Sequence, residues 1–568
     1  MVYGSNLTGV TVLSENENLQ IVDINDARSS NYLFVDILIT ESAQAGDYNL
    51  IFNKDGFEPV ELSYTLQERN NDSSVHKGFD NRDVIYLIMP DRFSDGDPGN
   101  NMISEFEDKT DRENPLARHG GDLQGVINHL DYLNDLGITA IWLTPVIENN
   151  TSISYHGYSA TDHYKIDPRL GSNMIYKKLV DEAHKRGLKV IFDHVSNHIS
   201  IDHPWIEDLP FNDWIHGSPD NHLPAMHDKM IYSDVHGDSL IRKFVSDGWF
   251  TSYMPDLNQR NPFLAKYLIQ NTIWWIEFAG IDGIREDTYP YNDQEFLAQW
   301  AEAVFSEYPE FNIVGEVWTG EPAFLAYYQK GSRLRTASDT NLPSVTDFAV
   351  RDALYGYMSG SGSLYELYTA FAKDYLYPDP SGLMIFGDNH DIARLMYYAG
   401  GNAEKVKNVL TVLLTSRGIP QILYGDEIGM VGGEEHGLLR SDFPGGFPGD
   451  ERNAFIHSER TAEENELFSF IKNLLQLRKL HPALSCGNMI HLPPFLNCYI
   501  YFKESGKEKF MIIINGDEEG KEINLSMISE RFPPFSYWQD IFTGQRYESD
   551  SLIIPVKPDG RAILRLQK

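Results

Sequence analysis

The chain has 568 residues with 47 Lys and Arg against 83 Asp and Glu, a formal charge of −36 at pH 7. That balance argues against nucleic acid and an anionic membrane surface as partners, and no stretch reaches the ~18 apolar residues of a membrane span. At this length several domains are expected, and the 12% aromatic content suits both a large core and stacking on neutral sugars.

Residues 1–80 run in short alternating stretches such as YLFVDILI (32–39) and DYNLIF (47–52) with polar turns between them, the pattern of a small β-sandwich. From Val84 the pattern changes to strands alternating with amphipathic helices, which means a parallel sheet. Eight strands are legible: VIYLIMP (84–90), TAIWLT (139–144), KVIFDHV (189–195), GIRED (283–287), NIVGE (312–316), SVTDF (344–348), LMIFGD (383–388) and IPQILYGDE (419–427). Eight close a (β/α)8 TIM barrel, placed over residues 81–482. Between the first two, Leu123–Leu136 carries Val126, Leu130 and Leu133 at helical spacing. The His-rich, Pro-containing stretch between His198 and Met254 is too long for a simple loop. After a helix over ENELFSFIKNLLQLRKL (464–480), the runs CYIYF (498–502), KFMIIIN (509–515) and SLIIPV (551–556) read as a C-terminal all-β domain, 483–568. Cys486 and Cys498 form no metal or redox motif. They could pair across neighbouring strands in an exported protein, and free thiols are otherwise expected.

Four segments place polar or charged groups where apolar strands end: VIFDHVSNH (190–198), GIREDTYPY (283–291), NIVGEVW (312–318) and MIFGDNHD (384–391). A parallel barrel gathers such residues at one rim, where barrel enzymes carry their chemistry. Arg285 and Asp287 are two apart on one strand and face the same way, while Glu316 and Asp391 end other strands. A single Asp at a strand end is more simply a cap, but four occurrences in barrel order converge on one site. Three carboxylates with an Arg and two histidines suit retaining glycoside hydrolysis, in which one carboxylate attacks the anomeric carbon and a second acid protonates the leaving oxygen. His194 and His198 are four apart, yet Val195 stands where a metalloprotease needs Glu, so no zinc site is expected.

These segments resemble the four short regions of the α-amylase superfamily, glycoside hydrolase family 13, at Asp193–His198, Gly283–Asp287, Gly315–Trp318 and Asn389–Asp391. The runs MPDLN (254–258) and HGYSATDHY (156–164) look like its neopullulanase, cyclomaltodextrinase and maltogenic amylase branch. The resemblance implies Asp287 as nucleophile, Glu316 as general acid/base and Asp391 as stabiliser of the distorted sugar. It implies His156, His198, Arg285 and His390 as substrate contacts, Tyr158 as an aromatic platform and Trp318 as a stacking ring. A nearby Arg285 should favour the ionised form of Asp287, and Glu316 should sit where its proton is retained. Glu286 stands where the family more often has an apolar residue; by strand alternation it points outward, so a specific partner is expected for it.

The turn MPDRFSDGDPGNN (89–101) offers Asp95, Asp97, Asn100 and Asn101 as closely spaced hard oxygens that suit calcium. It resembles the calcium loop of cyclodextrin-processing relatives, whose remaining ligands correspond to Gly120 and Asp122, and implies a structural ion. The resemblance further implies an immunoglobulin-like N-terminal domain and a small domain, 199–253, inserted after the third strand, with Trp214 and Trp249 as candidates for the cleft wall. VYG (2–4) reads like the interior of that N-terminal domain's early strands, so an upstream strand is expected outside this sequence. A periplasmic or exported location follows if so, and a cytoplasmic one stays open. Some relatives form a homodimer through this domain. Asp287 is followed by Thr288 and Tyr289 rather than the Lys-His of many endo-amylases, and oligo-1,6-glucosidases have Gln where Met254 stands. Cyclomaltodextrins, pullulan and maltooligosaccharides, cut at α-1,4 bonds, are the expected substrates; starch endo-cleavage and α-1,6 cleavage are the alternatives. Non-catalytic relatives usually lose the carboxylates that this chain retains.

Overall fold

The computed structural model describes residues 1–69, 76–106, 108–335, 337–533, 536–549 and 552–567. Its centre is a ring of eight parallel strands: Ile85–Ile88, Ala140–Leu143, Lys189–His194, Gly283–Glu286, Asn312–Gly315, Ser344–Val345, Met384–Ile385 and Ile419–Leu423. Neighbours in the ring are neighbours in sequence, and the first strand pairs with the eighth. The sixth and seventh meet through one parallel bridge, Thr346 with Met384, which brings the ring together. Nearly every strand residue is buried, because the ring interior covers one face and the helix layer the other. That double burial explains why these strands read as unbroken apolar runs.

The expected helix over Leu123–Leu136 is two helices, Leu123–Asn128 and Leu130–Leu136. His129 leaves helical geometry at the join and its ring lies flat on Phe455, centroids 3.5 Å apart. Val126, Leu130 and Leu133 remain buried on one side. No helix among the described residues is long and apolar enough to cross a membrane.

The N-terminal residues form two three-stranded antiparallel sheets around Val12, Leu19, Leu33, Leu50 and Phe52. This domain rests on the segment inserted after the third barrel strand. Phe34 packs against Phe211, Trp214 and Phe263, and Asn31 Nδ2 donates to Asp208 at 2.8 Å. Trp214 therefore belongs to the seat of the N-terminal domain and is fully buried. Trp249 is buried as well, stacked on His222 with Nε1 donating to the His216 carbonyl. Neither lines a cleft, because each indole is consumed by packing.

Helix Ala462–Leu480 starts at a capping box of Thr461 and Glu464 and leads into the C-terminal six-stranded sheet. Strand Cys498–Ser505 shows how one strand serves two cores. Cys498, Ile500 and Phe502 fill the domain's own interior, while Tyr499 and Tyr501 join the barrel's cluster. Both cysteines are free thiols.

Candidate active site

The third and fourth barrel strands pair with Asp193 opposite Arg285 and His194 opposite Glu286. Alternation then sends Asp193 and Arg285 into the ring and His194 and Glu286 to the helix side. Chain order carries Asp287 one residue past the fourth strand and Glu316 one past the fifth, both at the carboxyl rim. Gly315 has to be glycine: a Cβ there would sit 2.7–2.8 Å from Leu342 and Tyr289. Thr288 holds a left-handed φ of 43° directly after Asp287. This unusual backbone for a β-branched residue turns the chain sharply just after the Asp287 carboxylate, and the Thr288 amide donates to Glu316 Oε2 at 3.2 Å.

Arg285 is the hub. One of its terminal nitrogens lies 2.7 Å from both Asp193 Oδ1 and Asp287 Oδ1, and the other 2.7 Å from Glu316 Oε1. Its guanidinium is flanked by the rings of Trp142 and Tyr158, 5.2 and 5.6 Å from their centroids. Trp142 Nε1 and the Tyr158 hydroxyl both donate to Asp193 Oδ2 at 2.9 Å. Asp391 stands across the site, paired with Arg440 at 2.6 Å and 3.2 Å from His390 Nε2.

One guanidinium is shared by three buried carboxylates, so its charge is divided among them. Burial is the largest influence on Asp287 and pushes its carboxyl well above the usual aspartate range; Arg285 opposes this, and the charges of Glu316, Asp193 and Asp391 add to the push. Asp193 is likewise raised by burial, to about 6, despite Arg285 and its hydrogen bonds. Arg285 does favour the ionised form of Asp287, as expected, but its charge is divided among three carboxylates and burial outweighs it. Burial would also raise Asp391, yet His390, Arg440 and Arg285 outweigh it and hold that carboxyl well below the usual range. If the ionised Asp287 is the reactive form, kcat/KM should climb with pH through a limb displaced above about 4, the ordinary aspartate value. A pH–rate profile with its acid limb at or below 4 would contradict that environment.

The ring groups expected around the substrate come together here. Tyr158 stacks on His390 at 5.4 Å and on His156 at 5.9 Å, and its hydroxyl is 2.6 Å from His390 Nε2. His198 Nε2 lies 3.1 Å from the Tyr158 carbonyl. Burial lowers His156, His198 and His390 to about 3, 4 and 3, so all three are neutral donors and acceptors at neutral pH. Two of their donor nitrogens are thus engaged by protein, and a sugar hydroxyl would have to replace those contacts. Trp318 is 43% exposed, one face backed by Phe348 at 5.0 Å and the other open.

Glu286 has the partner its burial demands. His194 Nδ1 is 2.5 Å away, Ser196 bonds the other oxygen, and His194 Nε2 reaches Thr272 at 3.1 Å. Three site residues were missed in the sequence. Asp193 lies inside a quoted motif but received no role, Trp142 looked like core, and Arg440 follows the eighth strand with no spacing to flag it.

With this geometry in view, comparison with known proteins is decisive. Residues 87–446 match the alpha amylase catalytic domain, residues 1–70 the cyclomaltodextrinase N-terminal domain and residues 489–564 the cyclomaltodextrinase C-terminal domain. The chain belongs to the α-amylase family. This family member is 30% identical to a cyclomaltodextrinase of Geobacillus thermopakistaniensis over 84% of its own length and 76% of the relative's. It is also 30% identical to neopullulanase 2 of Thermoactinomyces vulgaris, over 81% and 73%. The crystal structure of an Anoxybacillus α-amylase matches it with a TM-score of 0.73 at 30% identity, covering 86% of this chain and 98% of that one. The protein is accordingly a glycoside hydrolase of the cyclomaltodextrinase, maltogenic amylase and neopullulanase type.

A second cluster of this α-amylase family enzyme lies in the turn after the first strand. Asp95 Oδ1, Asn100 Oδ1 and Asn101 Oδ1 are buried without a hydrogen-bond partner. Asn101 is pressed against Gly120, where a Cβ would lie 2.8 Å from its carboxamide. The oxygens of Asp122, the further ligand expected, accept from the Gly96, Asp97 and Gly125 amides and from Asn100 Nδ2, so it also caps a helix and clamps the turn. No group of three His, Cys, Asp or Glu side chains among the described residues could hold a metal, so a cation here would depend on amide oxygens.

Proposed function

We propose that the enzyme cleaves α-1,4-glucosidic bonds of cyclomaltodextrins, pullulan and maltooligosaccharides with retention, through a covalent glycosyl-enzyme on Asp287. The observation that carries this reading is Arg285 joining Asp287 and Glu316 at 2.7 Å each, which gathers two carboxylates around one point at the rim. Asp287 attacks the anomeric carbon while Glu316 gives its proton to the departing glycosidic oxygen. Glu316, now a carboxylate, takes a proton from the incoming water, which opens the ester and frees Asp287. Asp391, kept charged by Arg440, accepts hydrogen bonds from the sugar hydroxyls and favours positive character at the anomeric carbon. Tyr158 supplies the face beneath the ring, and His156, His198 and His390 bond its hydroxyls.

The preference for cyclomaltodextrin and pullulan is supported by the names of the relatives and by the MPDLN run. Chromatography of products from β-cyclodextrin, pullulan and soluble starch tests it. Fast ring opening, panose from pullulan and slow attack on starch are expected; long fragments from starch with the ring intact would make this an endo-amylase.

Calcium fits the turn at 95–101, with the three unpartnered oxygens of Asp95, Asn100 and Asn101 as its ligands, Asp97 and Gly120 alongside, and Asp122 holding the turn in shape. Its role is structural and it supplies no step of the reaction. Chelation should lower Tm by several degrees, reversibly on adding calcium, while kcat of the folded enzyme stays unchanged. An unaltered Tm would remove the ion.

A further inference from the structure

Two basic side chains of the inserted segment reach the catalytic rim without a part in the scheme above. His227 and Lys229 converge on Tyr291, four residues after Asp287. His227 Nδ1 is 2.8 Å from the Tyr291 hydroxyl, and Lys229 Nζ lies 5.3 Å from the centre of its ring and 3.5 Å from its oxygen. Phe250 closes the group: it sits 5.1 Å from His227, 5.3 Å from Tyr291 and 5.9 Å from His198. The cluster is thus continuous with the substrate-facing histidines on one side. On the other, a cavity of about 130 Å³ opens between His227, Lys229, Met230, Trp318, Phe324 and Tyr328.

Lys229 is the anomaly. It is half-buried in a protein of charge −36, yet no carboxylate lies within ion-pair distance of it among the described residues. Burial lowers its ammonium, and the charge of Glu316 is the main influence that opposes this. Glu316 also acts on Tyr291, together with Asp287. Val317 and Trp318, the two residues after Glu316, line the same cavity as Lys229, so the ammonium stands beside the segment that carries the acid/base, with three N–H donors to place. The open face of Trp318 lines the same cavity, so one small space offers an aromatic surface, a cation and an imidazole. These are the groups that bind a hexose: a flat ring for its C–H face and donors for its hydroxyls.

We propose that Lys229, with His227 and Tyr291, holds the sugar on the leaving-group side of the scissile bond, and after departure the acceptor sugar that competes with water. This rests on the assignment of Asp287 and Glu316 given above. The competing view is that Lys229 only fastens the inserted loop to Tyr291 through its cation–π contact.

Two substrates separate these views. Maltotriose places a glucose on the leaving side, whereas α-maltosyl fluoride places none there. Lys229→Met is expected to lower kcat/KM on maltotriose about 10- to 100-fold, the scale of a lost charge-assisted hydrogen bond, and to leave α-maltosyl fluoride within about twofold. Lys229→Arg should recover part of the loss, and the yield of transfer products with added glucose should fall in Lys229→Met. Unchanged maltotriose kinetics, or equal losses on both substrates, would overturn the proposal, the second because it marks a purely structural lysine. A wild type that turns over neither substrate would overturn the hydrolase assignment, and this inference with it.

Discussion

Replacing Asp287 with Asn is expected to lower kcat on β-cyclomaltodextrin by at least about 10⁴-fold, the scale seen when a covalent nucleophile is removed. Asn keeps the shape but cannot form the ester, and Arg285 loses one of its three carboxylate partners without losing its other two. Glu316→Gln should behave differently. On cyclomaltodextrin the loss should be about 10²–10⁴-fold, the usual worth of a general acid. On α-maltosyl fluoride, whose leaving group needs little protonation, formation of the glycosyl-enzyme should be nearly normal. Release of reducing sugar and of fluoride, measured side by side, checks both. Comparable losses for Glu316→Gln on the two substrates would remove it from the role of acid.

Arg285→Met should produce the largest loss of stability. The side chain is fully buried and pairs with Asp193, Asp287 and Glu316 at once. Removing a buried charge that holds partners together costs about 3–5 kcal/mol, because the partners are left without compensation. Here three carboxylates would face one another around an apolar side chain. The sign with pH follows: acid protonates the stranded carboxylates and relieves their repulsion, so the Tm deficit against wild type should be smaller at pH 5 than at pH 8. Thermal unfolding at the two pH values measures it. A deficit that grows toward acid would mean that Arg285 does not compensate this cluster.

Much of this architecture was legible before any coordinates. Strands buried on both faces leave unbroken apolar runs, and all eight barrel runs contain their strands, even Ser344–Val345 with two residues. The candidate site groups were visible because a strand's period of two puts Arg285 and Asp287 on one face and Glu286 on the other. The structure supplies Glu286 with His194 and Ser196. What sequence could not show was how groups from distant segments share a charge. Arg285 two residues before Asp287 marked a nearby charge, but not that Asp193 from another strand and Glu316 from a third divide it. Arg440 reaches Asp391 from beyond the eighth strand, at a separation of 49 residues that no local pattern marks. Trp214 and Trp249 misled for a related reason: in a loop-rich segment an indole beside polar residues looks exposed, and only the docking of the N-terminal domain and the His222 ring buries them.

Time-resolved proton NMR of β-cyclomaltodextrin with the enzyme tests the central claim most directly, because one experiment reports both substrate and stereochemistry. Ring opening with the α-anomer of the product appearing first, and the β-anomer only later by mutarotation, is the result required by a glycosyl-enzyme on Asp287. First appearance of the β-anomer would contradict the covalent route, and an intact ring beside digested starch would contradict the assignment of substrate.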